Sequence, residues 1–157
     1  MKGDQRLFIC STGDGFNFTP QQIMPGTGCS SHAPALATSA SRLYVAWKGI
    51  GANPRLFISS TGDGASFTPQ RVIPGTGGTS HSPAIAAHNN RLLVVWKGSG
   101  DDPRLFFTSF GDGANFTNQR VIPDTGSTSA APRIAALRNP VSTRAASLWT
   151  ETTTLSD

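Results

Sequence analysis

Charge is scarce in this chain of 157 residues: 14% of positions are charged, and glutamate occurs once, at Glu151. So little charge, beside 17 Gly and 11 Pro, argues against long solvent-facing helices and for many turns. The net charge of +4 comes mainly from arginines scattered along the chain, with no dense basic run. That spacing speaks against nucleic-acid binding by phosphate neutralisation. No stretch is apolar enough to span a membrane as a helix. The opening "MKGDQRLFIC" lacks the apolar core of a secretory signal, so the chain as it stands reads as cytoplasmic, or as secreted if a leader precedes it. Cysteine occurs twice, at Cys10 and Cys29. Two thiols cannot build a tetrahedral metal site without histidine, and free thiols rather than a Cys10–Cys29 disulfide are expected.

What the chain has in abundance is itself. "STGDGFNFTP" begins at Ser11, "STGDGASFTP" at Ser60 and "SFGDGANFTN" at Ser109. Asp14, Asp63 and Asp112 follow one another at a fixed interval, as do Arg6, Arg55 and Arg104. Between residues 6–54 and 55–103, about 30 of 49 positions are identical without a gap. A period of that length marks stacked units, each too small to bury its own apolar face. The units are 6–54, 55–103 and 104–137, giving a repeat domain over 1–137 and a degenerate tail over 138–157. Cys10 and Cys29 stand where the other units carry Ser59, Thr108, Gly78 and Ser127, which fits thiols without a structural framework.

The turn residues divide the second unit into strands. "SPAIAAH" is a short apolar run, and "NN" at Asn89–Asn90 offers a tight turn. "RLLVVWKG" is rich in β-branched and aromatic residues. "SGDDP" breaks it, "RLFFTS" is a third strand, "FGDGA" the next turn, and "NFTNQRVIP" a fourth strand. No segment places apolar residues at helical spacing over three turns. The prediction is an all-β protein of four-stranded antiparallel β-propeller blades, about three repeats, with an incomplete ring per chain. The chain opens on a third and fourth strand and closes on "APRIAAL", which matches a first strand. Either copies assemble into a homo-oligomeric ring, or the chain is part of a longer product. The tail "TETTTLSD" is polar and reads as frayed.

The repeated "STGDGFNF", "STGDGASF" and "SFGDGANF" resemble the Asp-box, Ser-x-Asp-x-Gly-x-Thr-Trp, of the sialidase-like (BNR repeat) β-propeller family. In that family the box forms the hairpin between the third and fourth strands of a blade, where it falls here. Two departures are plain: Asp14, Asp63 and Asp112 lie one place later than the family's Asp, and Phe18, Phe67 and Phe116 replace its Trp. The resemblance implies structural turns built by Asp14 with Gly15, Asp63 with Gly64 and Asp112 with Gly113, each beside its Phe. It implies little about activity, because such boxes occur in sialidases, other glycosidases, lectin-like proteins and receptors. One Asp per turn does not supply the several oxygens that calcium needs, and no metal or cofactor is expected.

Sialidases use a Tyr activated by Glu, an Asp acid/base and three Arg on the substrate carboxylate. Here Tyr44 is the only tyrosine and lies inside an expected strand. "PRIAAL" approaches the family's Arg-Ile-Pro motif at Arg133 but has Ala135 in place of Pro, so no catalytic role carries over. His32 and His81 are repeat-equivalent and do not complement one another as a catalytic pair. "NFT" at Asn17 and Asn115 has the form of a glycosylation acceptor, but it coincides with the recurring hairpin. Binding is the better expectation. One end of the repeats gathers "GTGCSSHAP" and "WKGIGANPR" from one unit, "GTGGTSHSP" and "WKGSGDDPR" from the next. There His32, Trp47, Lys48, His81, Trp96 and Lys97 would offer ring faces for sugar C–H groups and directional donors for hydroxyls. The competing reading has the Trp packing between blades and the His tying down loops. Expectation thus favours a carbohydrate-binding, lectin-like module without catalysis, with a non-catalytic piece of a glycoside hydrolase propeller or a protein-interaction scaffold as alternatives.

Overall fold

A computed structural model describes residues 4–111, 115–137 and 145–146, the last two as backbone only. The described residues are all β, with no helix and hence none long and apolar enough to cross a membrane. Asp112, Gly113, Trp149 and the tail beyond 146 lie outside the described residues.

Two four-stranded antiparallel sheets form the centre. The first runs β3 (Ala35–Ser39), β4 (Arg42–Lys48), β5 (Leu56–Thr61), β6 (Arg71–Val72), in chain order across the sheet. The second repeats it 49 residues later as β7 (Ala84–His88), β8 (Arg91–Lys97), β9 (Leu105–Phe110) and β10 (Arg120–Val121). Before them β1 (Phe8–Ile9) pairs with β2 (Gln22–Ile23), and after them β11 (Ala135–Ala136) pairs with β12 (Ala145–Ala146).

The first hairpin of each sheet has a two-residue loop with both residues at positive φ: Ala40 and Ser41 at 47° and 59°, Asn89 and Asn90 at 48° and 55°. That left-handed pair matches the twist of the strands it joins. The sheets stack face to face. Strand alternation sends Leu43, Val45 and Trp47 towards Leu7, Ile9 and Met24 of the β1–β2 unit, while Tyr44 and Ala46 face the next sheet. One period later the contact recurs, with Leu56, Ile58 and Ile73 against Leu92, Val94 and Trp96. The sheet β3–β6 is therefore covered on both faces, and β7–β10 on the face turned towards it. The first strands β3, β7 and β11 lie beside one another.

Candidate functional site

The Gly-Asp-Gly turns come out as local hydrogen-bond knots. Asp63 Oδ1 accepts the amide hydrogens of Ala65 (2.9 Å) and Ser66 (2.7 Å) and the Thr61 hydroxyl (2.8 Å), while Gly64 N donates to Thr61 Oγ1. Asp14 does the same with Phe16, Asn17 and Thr12. These bonds favour the ionised form and hold both carboxyls well below the usual carboxylate range. Gly15 and Gly64 take φ of 80° and 77°, which a side chain would strain. The threonine after the Phe completes the knot. Thr19, Thr68 and Thr117 each donate their amide to the carbonyl of Ser11, Ser60 or Ser109, and their hydroxyls accept that serine's amide hydrogen. Phe67 packs beneath its turn against the core, and Phe116 sits 4.4 Å from Phe110, centre to centre. Phe18, the first of the series, is exposed.

The Trp residues expected to face a ligand do not reach one. Trp47 and Trp96 are 0% exposed. Each stacks on the residue opposite it in the next strand, Phe57 at 6.0 Å and Phe106 at 6.1 Å. Their indole Nε1 atoms have no hydrogen-bond partner. An aromatic platform for sugars is therefore corrected: each ring lies on the sheet face that packs against the preceding unit.

The lysines that follow them are also drawn inward. Lys48 and Lys97 are 4% and 5% exposed. Lys48 Nζ donates to the carbonyls of Gly49 (3.1 Å), Gly51 (2.7 Å) and Asn53 (3.2 Å). Lys97 Nζ does so to Gly98 (3.4 Å), Gly100 (2.9 Å) and Asp102 (3.0 Å). The ammonium groups fasten the loop after the strand rather than point at a ligand. Burial lowers the pKa of Lys48 below the ordinary lysine value. The loop doubles back so tightly that a Cβ on Gly49 or Gly98 would fall 2.6 Å from the side chain of Asn53 or Asp102, so a larger residue there would force that side chain to shift.

His32 and His81, one from each unit, come together with ring centres 6.1 Å apart. Behind each stands a serine that the sequence reading missed. Ser31 Oγ lies 3.0 Å from His32 Nδ1, donates to Gly49 O at 3.2 Å and receives the Lys48 ammonium at 3.4 Å. Ser80 repeats this with His81 Nδ1 (2.9 Å), Gly98 O (3.1 Å) and Lys97 (3.3 Å). Each serine oxygen thus joins the lysine ammonium, the loop carbonyl and the imidazole Nδ1, and leaves Nε2 outside this network. Burial, then the charge of Lys48 and the nearness of His81, lowers the pKa of His32, so it is neutral at pH 7. The signal for the serines was present in the repeated Ser-His dipeptide of "SSHAP" and "TSHSP". In the third unit Ser129 remains but Ala130 replaces the histidine.

Open clefts flank the pair. One of about 430 Å³ is lined by His81, Asp101, Ser127, Thr128 and Ser129. Another of about 430 Å³ lies between Asp4–Phe8 and Ser30–Pro34, beside β1. The third-strand arginines stay local. Arg6 pairs with Asp4, and Arg104 with Asp102 at 2.9 Å, while Arg55 has Asn53 at that place. Cys10 and Cys29 are free thiols. Among the described residues no group of three or more His, Cys, Asp or Glu converges as a metal site would require. Compared with known protein families and with curated proteins, the chain matches none.

Proposed function

We propose that the two central sheets are blades of a sialidase-like β-propeller, and that the module binds a hydroxyl-rich ligand, a glycan, without chemistry of its own. Support for the propeller comes from strands laid in chain order across each sheet, from first strands lying side by side, and from Asp turns between third and fourth strands. The binding reading is carried by one observation: two repeat-equivalent imidazoles, each held by a Ser–Lys–carbonyl network and meeting at 6.1 Å beside an open cleft. An unprotonated imidazole nitrogen accepts hydrogen bonds from sugar hydroxyls, and Ser127, Thr128 and Ser129 offer hydroxyls of their own. Trp47 and Trp96 take no part in this site.

A glycan array followed by calorimetry tests the reading. Binding that drops at least tenfold in His32→Ala/His81→Ala, with the β circular-dichroism spectrum retained, is the expected result. Turnover of a fluorogenic sialoside by the purified chain would point instead to a hydrolase propeller. Silence in both assays would leave a protein-interaction scaffold.

A further inference from the structure

His32 and His81 lie on the loops that precede the first strands β3 and β7, so their rings meet across the junction of two successive units. Both are half-buried. Each is tied through Nδ1 to a serine that also holds a lysine ammonium, Ser31 with Lys48 and Ser80 with Lys97. Two imidazoles 6.1 Å apart thus have a fixed positive charge behind each of them. A proton added to either ring meets an ammonium on one side and the second ring on the other.

Negative charge that would offset it is engaged elsewhere. Asp4, which lines a cleft with His32, is bound by Arg6. Asp102, at the end of the loop that Lys97 fastens, is bound by Arg104. Asn53 takes the place of Asp102 in the first unit, so the loop held by Lys48 carries no carboxylate there. Arg55 follows Pro54, whose carbonyl takes the Thr79 amide, and adds positive charge beside the second loop. Asp101 lines the cleft with His81. Among the described residues neither imidazole is ion-paired with a carboxylate.

We propose that the His32–His81 pair makes this junction acid-sensitive: protons taken up between about pH 7 and 5 weaken the contact between the two units and, on the reading of the pair as a glycan site, release the ligand. A neutral ring keeps one unprotonated nitrogen to accept a sugar hydroxyl, whereas a protonated ring only donates. The same proton sets charge against charge across the junction. Burial, Lys48 and His81 hold the pKa of His32 below the ordinary histidine value. For such a group, stability is full above the unfolded pKa, about 6.5, and is lost as pH falls through the folded one. That window lies above the one in which Asp4 and Asp102 titrate, so the two effects are separable.

Histidine ring signals followed by NMR from pH 8 to 5 read the switch without any ligand. With the signals assigned by His32→Gln and His88→Gln, the His32 midpoint should lie about 0.5 pH unit or more higher in His81→Gln than in the parent chain. Thermal melts of the parent, which need no variant, should show Tm falling from pH 7 to 5, and His32→Gln/His81→Gln should lose most of that fall. A glycan selected on the array should bind the parent about tenfold more weakly at pH 5 than at pH 7. A His32 midpoint that ignores His81→Gln, or a parent Tm that stays level from pH 7 to 5, overturns the proposal. Glycan binding unchanged at pH 5 overturns the release. An array on which no glycan binds overturns the glycan reading alone, because the titration and the melts still decide the switch.

Discussion

Lys97 shows how a residue that is ordinarily exposed becomes a structural fastening. Its ammonium holds three carbonyls of the loop after β8 and braces the serine behind His81. Truncation leaves buried acceptors unpaired, so Lys97→Ala should cost about 2–4 kcal/mol in a urea melt. It should also weaken the proposed glycan binding, because Ser80 loses one of the partners that fix it. The turn aspartates act through charge and pH. A carboxyl held below its unfolded value stabilises the fold fully above that value and loses its contribution as pH falls through the folded one. Asp4 and Asp102, each held at about 2 chiefly by the arginine two residues on, lose theirs as pH falls from about 4 towards 2. Asp14 and Asp63 titrate lower still. Asp63→Asn should therefore lower Tm at pH 7, and the gap to the parent chain should narrow as pH drops below about 4. Thermal melts from pH 7 to 2 check this, and a gap that widens in acid would refute it.

At the scale of the element, the first hairpins separate local from tertiary information. Asn89–Asn90 is a residue pair that accepts positive φ, and the turn was readable from those two letters. Ala40–Ser41 adopts the same conformation against its preference, and only the repeat identified it as a turn. Ala40→Asn/Ser41→Gly should raise stability by about 1 kcal/mol, read from the urea midpoint. The fourth strand, expected over 115–123, is only Arg120–Val121. The first three strands of a unit and the turns at Asp14 and Asp63 were legible for the same reason as Asn89–Asn90, since each depends on residues within about ten positions of one another. The fate of Trp47 and Lys48 was not. Alternation in "RLYVAWK" says that Trp47 and Tyr44 point to opposite faces, but not that both faces are interior. That depends on neighbouring sheets far away in sequence. The meeting of His32 with His81 is likewise a contact between units, and a period in the sequence shows equivalence rather than distance.

Across the whole molecule, equivalent residues live in unequal surroundings, and this separates substitutions that unfold from those that do not. Ile85 on β7 is 6% exposed within the core shared by the two central sheets, whereas Leu36, its equivalent on β3, is 52% exposed. The contact of β7 with β3 is a first strand meeting the first strand before it. Ile85→Ala removes a buried side chain and should cost about 2–5 kcal/mol at any protein concentration. Leu36→Ala removes an exposed one and should leave the stability of a dilute, separated chain within about 0.5 kcal/mol. Urea melts of the two variants beside the parent chain distinguish the two substitutions. A Leu36→Ala chain destabilised as much as Ile85→Ala would show that equivalent positions on β3 and β7 are equally covered in solution.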